Sequence, residues 1–522
     1  MDAHVFDISG QKQYKRTLTT KNEKMFEIKQ PEQNLKGTAI RGSFLTTAAQ
    51  ACQFVLQMGS TVILARLLTP EDYGLIAMVG AVTSVLSYFG DLGLSDASIQ
   101  KVDISSDQLS SLFWLNVAAG ATFAIVAAGL APVLSWFYHE PRLLLIAPAL
   151  AISFIFGGLA VQHCAVLKRQ MHFRGLVSIQ IASTLTGALV GIIAAVLGAG
   201  YWSLVLMEIS TMLATAVGAW LMCNWRPGFY VRRCGMRPLI TFGANVSGHN
   251  LLRSLTLNLD KIVIGKWWGS QQLGLYSKAY QLLTLPLIQL LVPLGKVAVP
   301  TLSRLQEDKG RYQGYYRKIV SLIAYGIMPL SVAVAALAEE IILIVLGARW
   351  LESARIFRIL AISALVQPIA SANTWVCIST GHTKNMMQWA MMSTPMVCAA
   401  FFVGLPWGAL GVAWAYTTCM LLIQIPGCYI MLKDTPISVR DVVGSSWRPT
   451  VLSIILFVTM SVIRQSLAIE SPVAKAAITS FFAAVSFLVF LALWPKARSE
   501  VSELLALRRY LKNSDGVGTD VT

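Results

Sequence analysis

The chain has 522 residues, 55% hydrophobic and only 13% charged, with a mean hydropathy of +0.61. A soluble globular protein carries about 25% charged residues, so this composition excludes a water-soluble domain and points to a polytopic α-helical membrane protein. The net charge of +16 does not signal nucleic acid: the bases sit between apolar runs, where they act as topology signals.

The chain opens with a basic tail, residues 1–37, which has no apolar h-region and so no signal peptide; we expect it to be disordered and cytoplasmic. Apolar runs between charged or Gly/Pro punctuation then predict about fourteen membrane spans. They lie at 42–65, 74–90, 109–137, 143–166, 175–198, 201–223, 239–265, 274–300, 319–346, 355–379, 385–404, 407–431, 448–466 and 473–494. With the N-terminus inside, the even-numbered loops and the tails hold about 30 of the 42 Lys and Arg, as the positive-inside rule requires. "LKRQMHFR", "RPGFYVRRCGMR" and "RLQEDKGRYQGYYRK" are examples. Both termini, including the tail 496–522, are therefore expected in the cytoplasm.

The sequence also repeats. Shifted by 200 residues, "TVILARLLTPEDYGLIA" (61–77) lies on "KIVIGKWWGSQQLGLYS" (261–277), with Gly74-Leu75 on Gly274-Leu275. "LAIS" recurs at 150–153 and 360–363, a shift of 210. The shift spans six helices, an even number, so the copies share one orientation, as in transporters with parallel repeats. The expected architecture is a bundle over 38–225, a cytoplasmic linker 226–238, a second bundle over 239–432 and two additional helices within 433–495. A substrate site is expected between the two pseudo-symmetric six-helix bundles.

The first helix of each half carries polar stripes. Gln50, Gln53 and Gln57 recur at spacings of three and four, on one helical face. In the repeat mate, His249, Arg253 and Asp260 form one stripe and Asn250, Ser254 and Lys261 a second. Asp260 and Lys261 fit either of two readings. They mark the outer end of a helix anchored by Trp267-Trp268, or they line a solvated cavity whose bases hold an anion. Lys278, Tyr276, Tyr280 and Gln281 add polar groups to the next span, and Pro286, Pro293 and Pro300 bend it. Glu208 is a lone intramembrane carboxylate. The eight cysteines and six histidines have no metal-ligand spacing, and no P-loop, HExxH, GxSxG or GxGxxG occurs; neither a metal, a cofactor nor an enzymatic site is expected.

"ARLLTPEDYGLIAM" (65–78), "GDLGLSDASIQ" (90–100) and "GLYSKAYQLLTLPL" (274–287) resemble the polysaccharide transporters of the WzxC type, relatives of the O-antigen flippases, over residues 38 to 495. The resemblance implies the multidrug/oligosaccharidyl-lipid/polysaccharide exporter fold, with two bundles in a V and alternating access. It implies transfer of an undecaprenyl-diphosphate-linked oligosaccharide to the periplasmic leaflet of the inner membrane, for exopolysaccharide or lipopolysaccharide assembly. A polysaccharide polymerase and a chain-length regulator would be its partners beside membrane lipid. Arg253, Lys261 and Lys278 would then hold the diphosphate, and Gln50, Gln53, Gln57 and Asn250 the sugar. Asp260 would hold a base in place or, like Glu208, couple transport to a cation gradient. The rival reading is a cation-coupled drug or metabolite extruder of the same superfamily.

Overall fold

The computed structural model describes residues 35–90, 104–229, 237–495 and 497–499. Among these the regular structure is helical throughout, with no strand. In chain order the helices are α1 (Leu35–Leu67), α2 (Pro70–Gly90), α3 (Ser106–Gly129), α4 (Ala131–Tyr138), α5 (Leu143–Arg169), α6 (Phe173–Val196) and α7 (Trp202–Met222). There follow α8 (Arg237–Arg304), α9 (Lys309–Ala336), α10 (Ala338–Val345), α11 (Ser353–Ser363), α12 (Gln367–Ser379), α13 (Thr383–Gly404), α14 (Gly408–Met431), α15 (Val439–Ser466) and α16 (Pro472–Leu493).

Ten segments among the described residues are long and apolar enough to cross a membrane. Four of them contain a break. Asn258–Arg304 is interrupted at Gly269, whose φ of 77° and ψ of −177° suit glycine alone; we call the halves α8a (237–268) and α8b (270–304). Thr383–Met431 is an antiparallel hairpin: Phe401 stacks on Tyr416 at 5.8 Å, and Gly427 lies against the Trp389 ring. This is a multi-pass membrane protein.

Several predicted spans divide further than periodicity indicates. The segment 109–137 breaks at Leu130, where a proline at the start of α4 withholds a backbone donor. The segment 319–346 breaks at Leu337, and the acidic pair Glu339-Glu340 in the first turn of α10 suits a new helix N-terminus. The segment 355–379 breaks at a 3-10 turn, Ala364–Val366, before Pro368. The expected loop between the seventh and eighth spans is a single-residue kink.

Two compact units form. The first comprises the described part of Met1–Leu68 with Leu75–Ile262, and the second comprises Thr69–Gly74 with the described part of Val263–Thr522. In the first, α3 and α5 run antiparallel, with Gly120 against the Phe154 carbonyl and Gly158 against that of Asn116, at 2.5 and 2.7 Å from where a Cβ would sit. Helices α6 and α7 close just as tightly, Gly191 lying on the Met207 side chain. Small residues are what membrane helices need to approach and gain dispersion contact, since lipid supplies no hydrophobic drive between them. Phe113, Val166, Leu167, Ala219 and Trp225 fill the core at one end of this unit.

In the second unit α9 and α15 run parallel at a constant register. Arg317 donates through Nε to Asp441 Oδ1 at 2.9 Å, Ser321 Oγ to the Ser445 carbonyl at 3.2 Å, and Arg464 Nε to Glu340 Oε1 at 2.7 Å, each pair 124 residues apart. Arg464 also pairs with Glu339, which accepts from Arg358 Nη2 at 3.0 Å. The fifteenth helix is thus stapled by ions at both ends, to the ninth through Arg317 and Asp441 and to the tenth through Arg464 and the Glu339-Glu340 pair.

Two local features recur in both halves of the sequence. The eight-residue helices α4 and α10 are each followed by a left-handed residue, His139 (φ 57°) and Gly347 (φ 96°). The turns into α6 and α13 each pair a left-handed residue with a histidine at the helix start: Met171 (φ 53°) with His172, and Gly381 (φ 76°) with His382.

Candidate functional site

The second unit holds the better-defined constellation, and its geometry starts from a helix cap. Thr69 and Asp72 form a reciprocal pair: the Thr69 backbone N–H donates to Asp72 Oδ2 at 2.9 Å, and the Asp72 N–H donates to Thr69 Oγ1 at 3.3 Å. This capping box, with Pro70 as the first helical residue, starts α2 and places Tyr73 in its first turn. Gly74 comes next. A Cβ there would strike the Ser270 carbonyl, and a Cβ on Gly274 would strike the Pro70 carbonyl. The two glycines that the 200-residue shift aligns therefore make the same contact reciprocally, as symmetry-related surfaces do.

Lys278 lies four residues beyond Gly274, one helical turn, so the crossing sets it beside Tyr73. Its Nζ stands 3.9 Å from the centre of the Tyr73 ring and donates to Gln281 Oε1 at 2.9 Å. Lys278 and Tyr73 are each only 8% exposed. Trp350 meets the Tyr73 ring edge-on at 5.4 Å, and the buried Tyr73 hydroxyl has no hydrogen-bond partner among the described residues. No carboxylate among the described residues pairs with Lys278. A desolvated cation–π contact is worth about 2 kcal/mol. Placing a charge within a membrane costs about 2.5–3.5 kcal/mol on insertion scales, so the ring and one amide offset most of that cost without neutralising the charge.

The first unit holds the remaining expected residues. Lys261 Nζ donates to Asn258 Oδ1 at 3.0 Å, and the Lys261 backbone N–H to Asp260 Oδ1 at 2.8 Å. Asp260 is buried, 4% exposed, and Lys261 half-buried. Gln180 Nε2 on α6 donates to Gln53 Oε1 on α1 at 2.5 Å, while Gln50 and Gln57 are half-buried on the same helix. Glu208 is half-buried on α7, with no base paired to it among the described residues. Arg253 and Asn250 lie in α8a, but their side chains fall outside the described residues. The structure therefore joins Lys261 to Asn258 and Gln53 to Gln180, and it adds Tyr73, which sequence reasoning passed over. The available signal was the capping box beside a glycine whose repeat mate precedes a lysine by one turn.

Outside the spans, Glu140 bridges Arg142, accepting from its Nε at 2.7 Å. The hydrogen bond from Arg142 holds the Glu140 carboxyl below the usual carboxylate range, against a smaller opposing effect of burial.

A family model described as polysaccharide biosynthesis protein matches residues 63–355, more than half of the chain. Among individual proteins, the teichuronic acid biosynthesis protein TuaB of Bacillus subtilis (strain 168) is 24% identical over 426 residues, covering 79% of this chain and 86% of TuaB. The lipopolysaccharide biosynthesis protein WzxC of Escherichia coli (strain K12) is 21% identical over 428 residues, 81% of this chain and 85% of WzxC. The succinoglycan biosynthesis transport protein ExoT of Rhizobium meliloti (strain 1021) is 24% identical over 376 residues, covering 72% and 76%. In fold, the chain superposes on the lipid II flippase MurJ in an inward closed conformation with a TM-score of 0.69, at 14% identity, covering 86% of this chain and 98% of MurJ. It superposes on an inward-facing multidrug-resistance MATE transporter with a TM-score of 0.56, at 11% identity and 76% and 95% coverage. The chain belongs to the polysaccharide biosynthesis protein family, and it has the helical fold shared by MurJ and the MATE transporters.

Proposed function

We propose that this protein is a flippase for undecaprenyl-diphosphate-linked oligosaccharide repeat units, moving them from the cytoplasmic to the periplasmic leaflet of the bacterial inner membrane by alternating access. In this reading the bundles 38–225 and 239–432 and the helices within 433–495 make up the transporter, and both termini face the cytoplasm. A polymerase and a chain-length regulator would receive and measure the product.

The observation that carries the reading is Lys278: a buried ammonium, in a membrane-crossing helix, facing a ring and an amide where a carboxylate would neutralise it. A chain in the polysaccharide biosynthesis family has an evident use for such a cation. A diphosphate leaving water needs positive charge along its path, and an ammonium with no carboxylate partner among the described residues supplies it without breaking an ion pair there. Arg253 and Lys261 would extend that path, Gln50, Gln53, Gln57 and Asn250 would hydrogen-bond the sugar, and Asp260 or Glu208 would couple the cycle to a cation gradient.

Transbilayer movement of an undecaprenyl-diphosphate oligosaccharide, measured in liposomes containing the purified protein, tests this. The native chain should move the lipid. Lys278→Met should slow it at least about tenfold, a loss of ~1.4 kcal/mol in transition-state stabilisation, with Arg253→Ala and Lys261→Ala impaired beside it. Native rates in all three variants would leave the flippase and discard its cation path. Drug or ion flux without lipid movement would instead establish the cation-coupled extruder.

A further inference from the structure

We infer that Tyr73 is a positioning residue for the Lys278 ammonium: its ring face stands where a carboxylate would otherwise stand, holding the cation without neutralising it. What the held cation then binds rests on the flippase reading; the pairing itself rests on geometry alone.

The repeat supplies an internal control. Under the 200-residue shift that superposes Gly74 on Gly274, the mate of Tyr73 is Leu273 and the mate of Lys278 is Met78. Those mates are buried as deeply, at 0% and 1% exposure. Each mate is an apolar side chain, so burial at these two repeat positions does not by itself call for an aromatic ring or a cation. Tyr73 belongs to the first copy and Lys278 to the second, and neither is repeated in its mate, so the ring and the cation break the symmetry of the scaffold.

Tyr73 is also held from three sides. The Thr69–Asp72 capping box sets its backbone, the reciprocal glycine crossing sets its distance from α8b, and Trp350 fixes the ring by its edge. Its hydroxyl has no hydrogen-bond partner among the described residues, so the ring face is the part in use. An ammonium has three donors. Gln281 accepts one and the ring face attracts the charge as a whole, which leaves donor capacity for an incoming anion; a carboxylate would have consumed it.

A double-mutant cycle tests this in two readouts on the full chain: transport of the lipid-linked diphosphate in liposomes, and thermal unfolding in detergent. Tyr73→Phe, which keeps the ring, should retain clearly more transport than Tyr73→Leu. Tyr73→Leu should lower transport several-fold in the presence of Lys278, and change nothing further in the Lys278→Met background. The double variant Tyr73→Leu/Lys278→Met copies the repeat mates, so it should fold even if Tyr73→Leu alone does not. In unfolding, the two single substitutions should be non-additive. Equal loss from Tyr73→Phe and Tyr73→Leu, or a Tyr73→Leu effect undiminished without Lys278, would overturn the inference and leave Tyr73 as packing. If the native protein moves no lipid, the flippase reading fails by itself, while the unfolding cycle still decides whether ring and ammonium are coupled.

Discussion

Gly274→Ala should loosen the crossing that positions Lys278, and its cost can be worked from the contacts. A methyl group on Gly274 would overlap the Pro70 carbonyl oxygen, with the Pro70 carbonyl carbon at 2.7 Å and the Gly74 nitrogen at 3.1 Å. All three obstacles are backbone, so no side chain can swing aside. Over-packing a tight contact costs about 1–3 kcal/mol, and a purely backbone clash belongs at the upper end, about 3 kcal/mol. At roughly 2–4 °C per kcal/mol for a unit of this size, the melting temperature should fall by about 6–12 °C. Tryptophan fluorescence of the purified protein in detergent, heated slowly, reads this directly. Gly80→Ala, in the same helix as Gly74 but with open space around it, is the control and should hold or gain stability. Because Gly74 and Gly274 share one crossing, Gly74→Ala/Gly274→Ala should cost clearly less than the two single losses together. A Gly274→Ala melt within about 1 °C of native, or strict additivity of the pair, would refute the reciprocal contact.

The two ionic staples of α15 should differ in worth. Arg464 is 17% exposed, and its partner Glu340 is 4% exposed, so Arg464→Met strands buried carboxylate and should cost about 3–5 kcal/mol. Arg317 is 55% exposed, and its partner Asp441, though equally buried at 4%, keeps the Ser438 N–H and hydroxyl as donors, so Arg317→Met should cost less, about 1–2 kcal/mol; equal melts for the two variants would refute this ranking. Glu140 supplies a pH dependence. Its carboxyl is lowered in the folded protein by Arg142, so its contribution is present above the ordinary carboxylate range and is lost as pH falls through the folded value. Glu140→Gln should flatten that part of the melting-temperature profile below pH 4.5, the unperturbed value, and a profile unchanged by the substitution would remove Glu140 from the account.

Apolar length carried most of the fold into the sequence. The predicted spans coincide with helices because bilayer thickness dictates how many apolar residues a crossing needs, whatever the tertiary partners. Breaks such as Leu130 and Leu337 escaped a hydropathy reading because the helices on either side are equally apolar. The capping residues and prolines that make those breaks are local signals of a finer kind. The candidate site was half legible. Lys278 stands out as a charge in an apolar run, whereas Tyr73 reads as an ordinary interfacial aromatic until a partner 205 residues away gives it meaning. The same holds for Arg317 with Asp441 and Arg464 with Glu340, whose register depends on α9 and α15 running parallel.

The repeat that was visible as a few matched peptides also separates polar groups the fold has satisfied from those it has not. In the second unit, Tyr316 donates to Asn373 Oδ1 at 3.1 Å and Asn373 Nδ2 to Cys428 Sγ at 3.3 Å, all buried. Counted from the helix starts and ends, the mates of Tyr316 and Asn373 in the first unit are Phe113 and His163. There the hydroxyl is missing, and among the described residues no side chain hydrogen-bonds either ring nitrogen of His163, which is 0% exposed. It is held by rings instead: stacked on Trp220 at 4.5 Å and edge-on to Phe113 at 5.6 Å. Tyr316→Phe should therefore strand an amide oxygen and cost about 1–3 kcal/mol. Phe113→Tyr brings a hydroxyl to an imidazole that lacks a side-chain hydrogen bond among the described residues, which offsets the crowding of one added oxygen, so its melt should fall less. A larger loss from Phe113→Tyr than from Tyr316→Phe would mean that the aromatic cage, and not the missing hydrogen bond, dominates the energetics around His163.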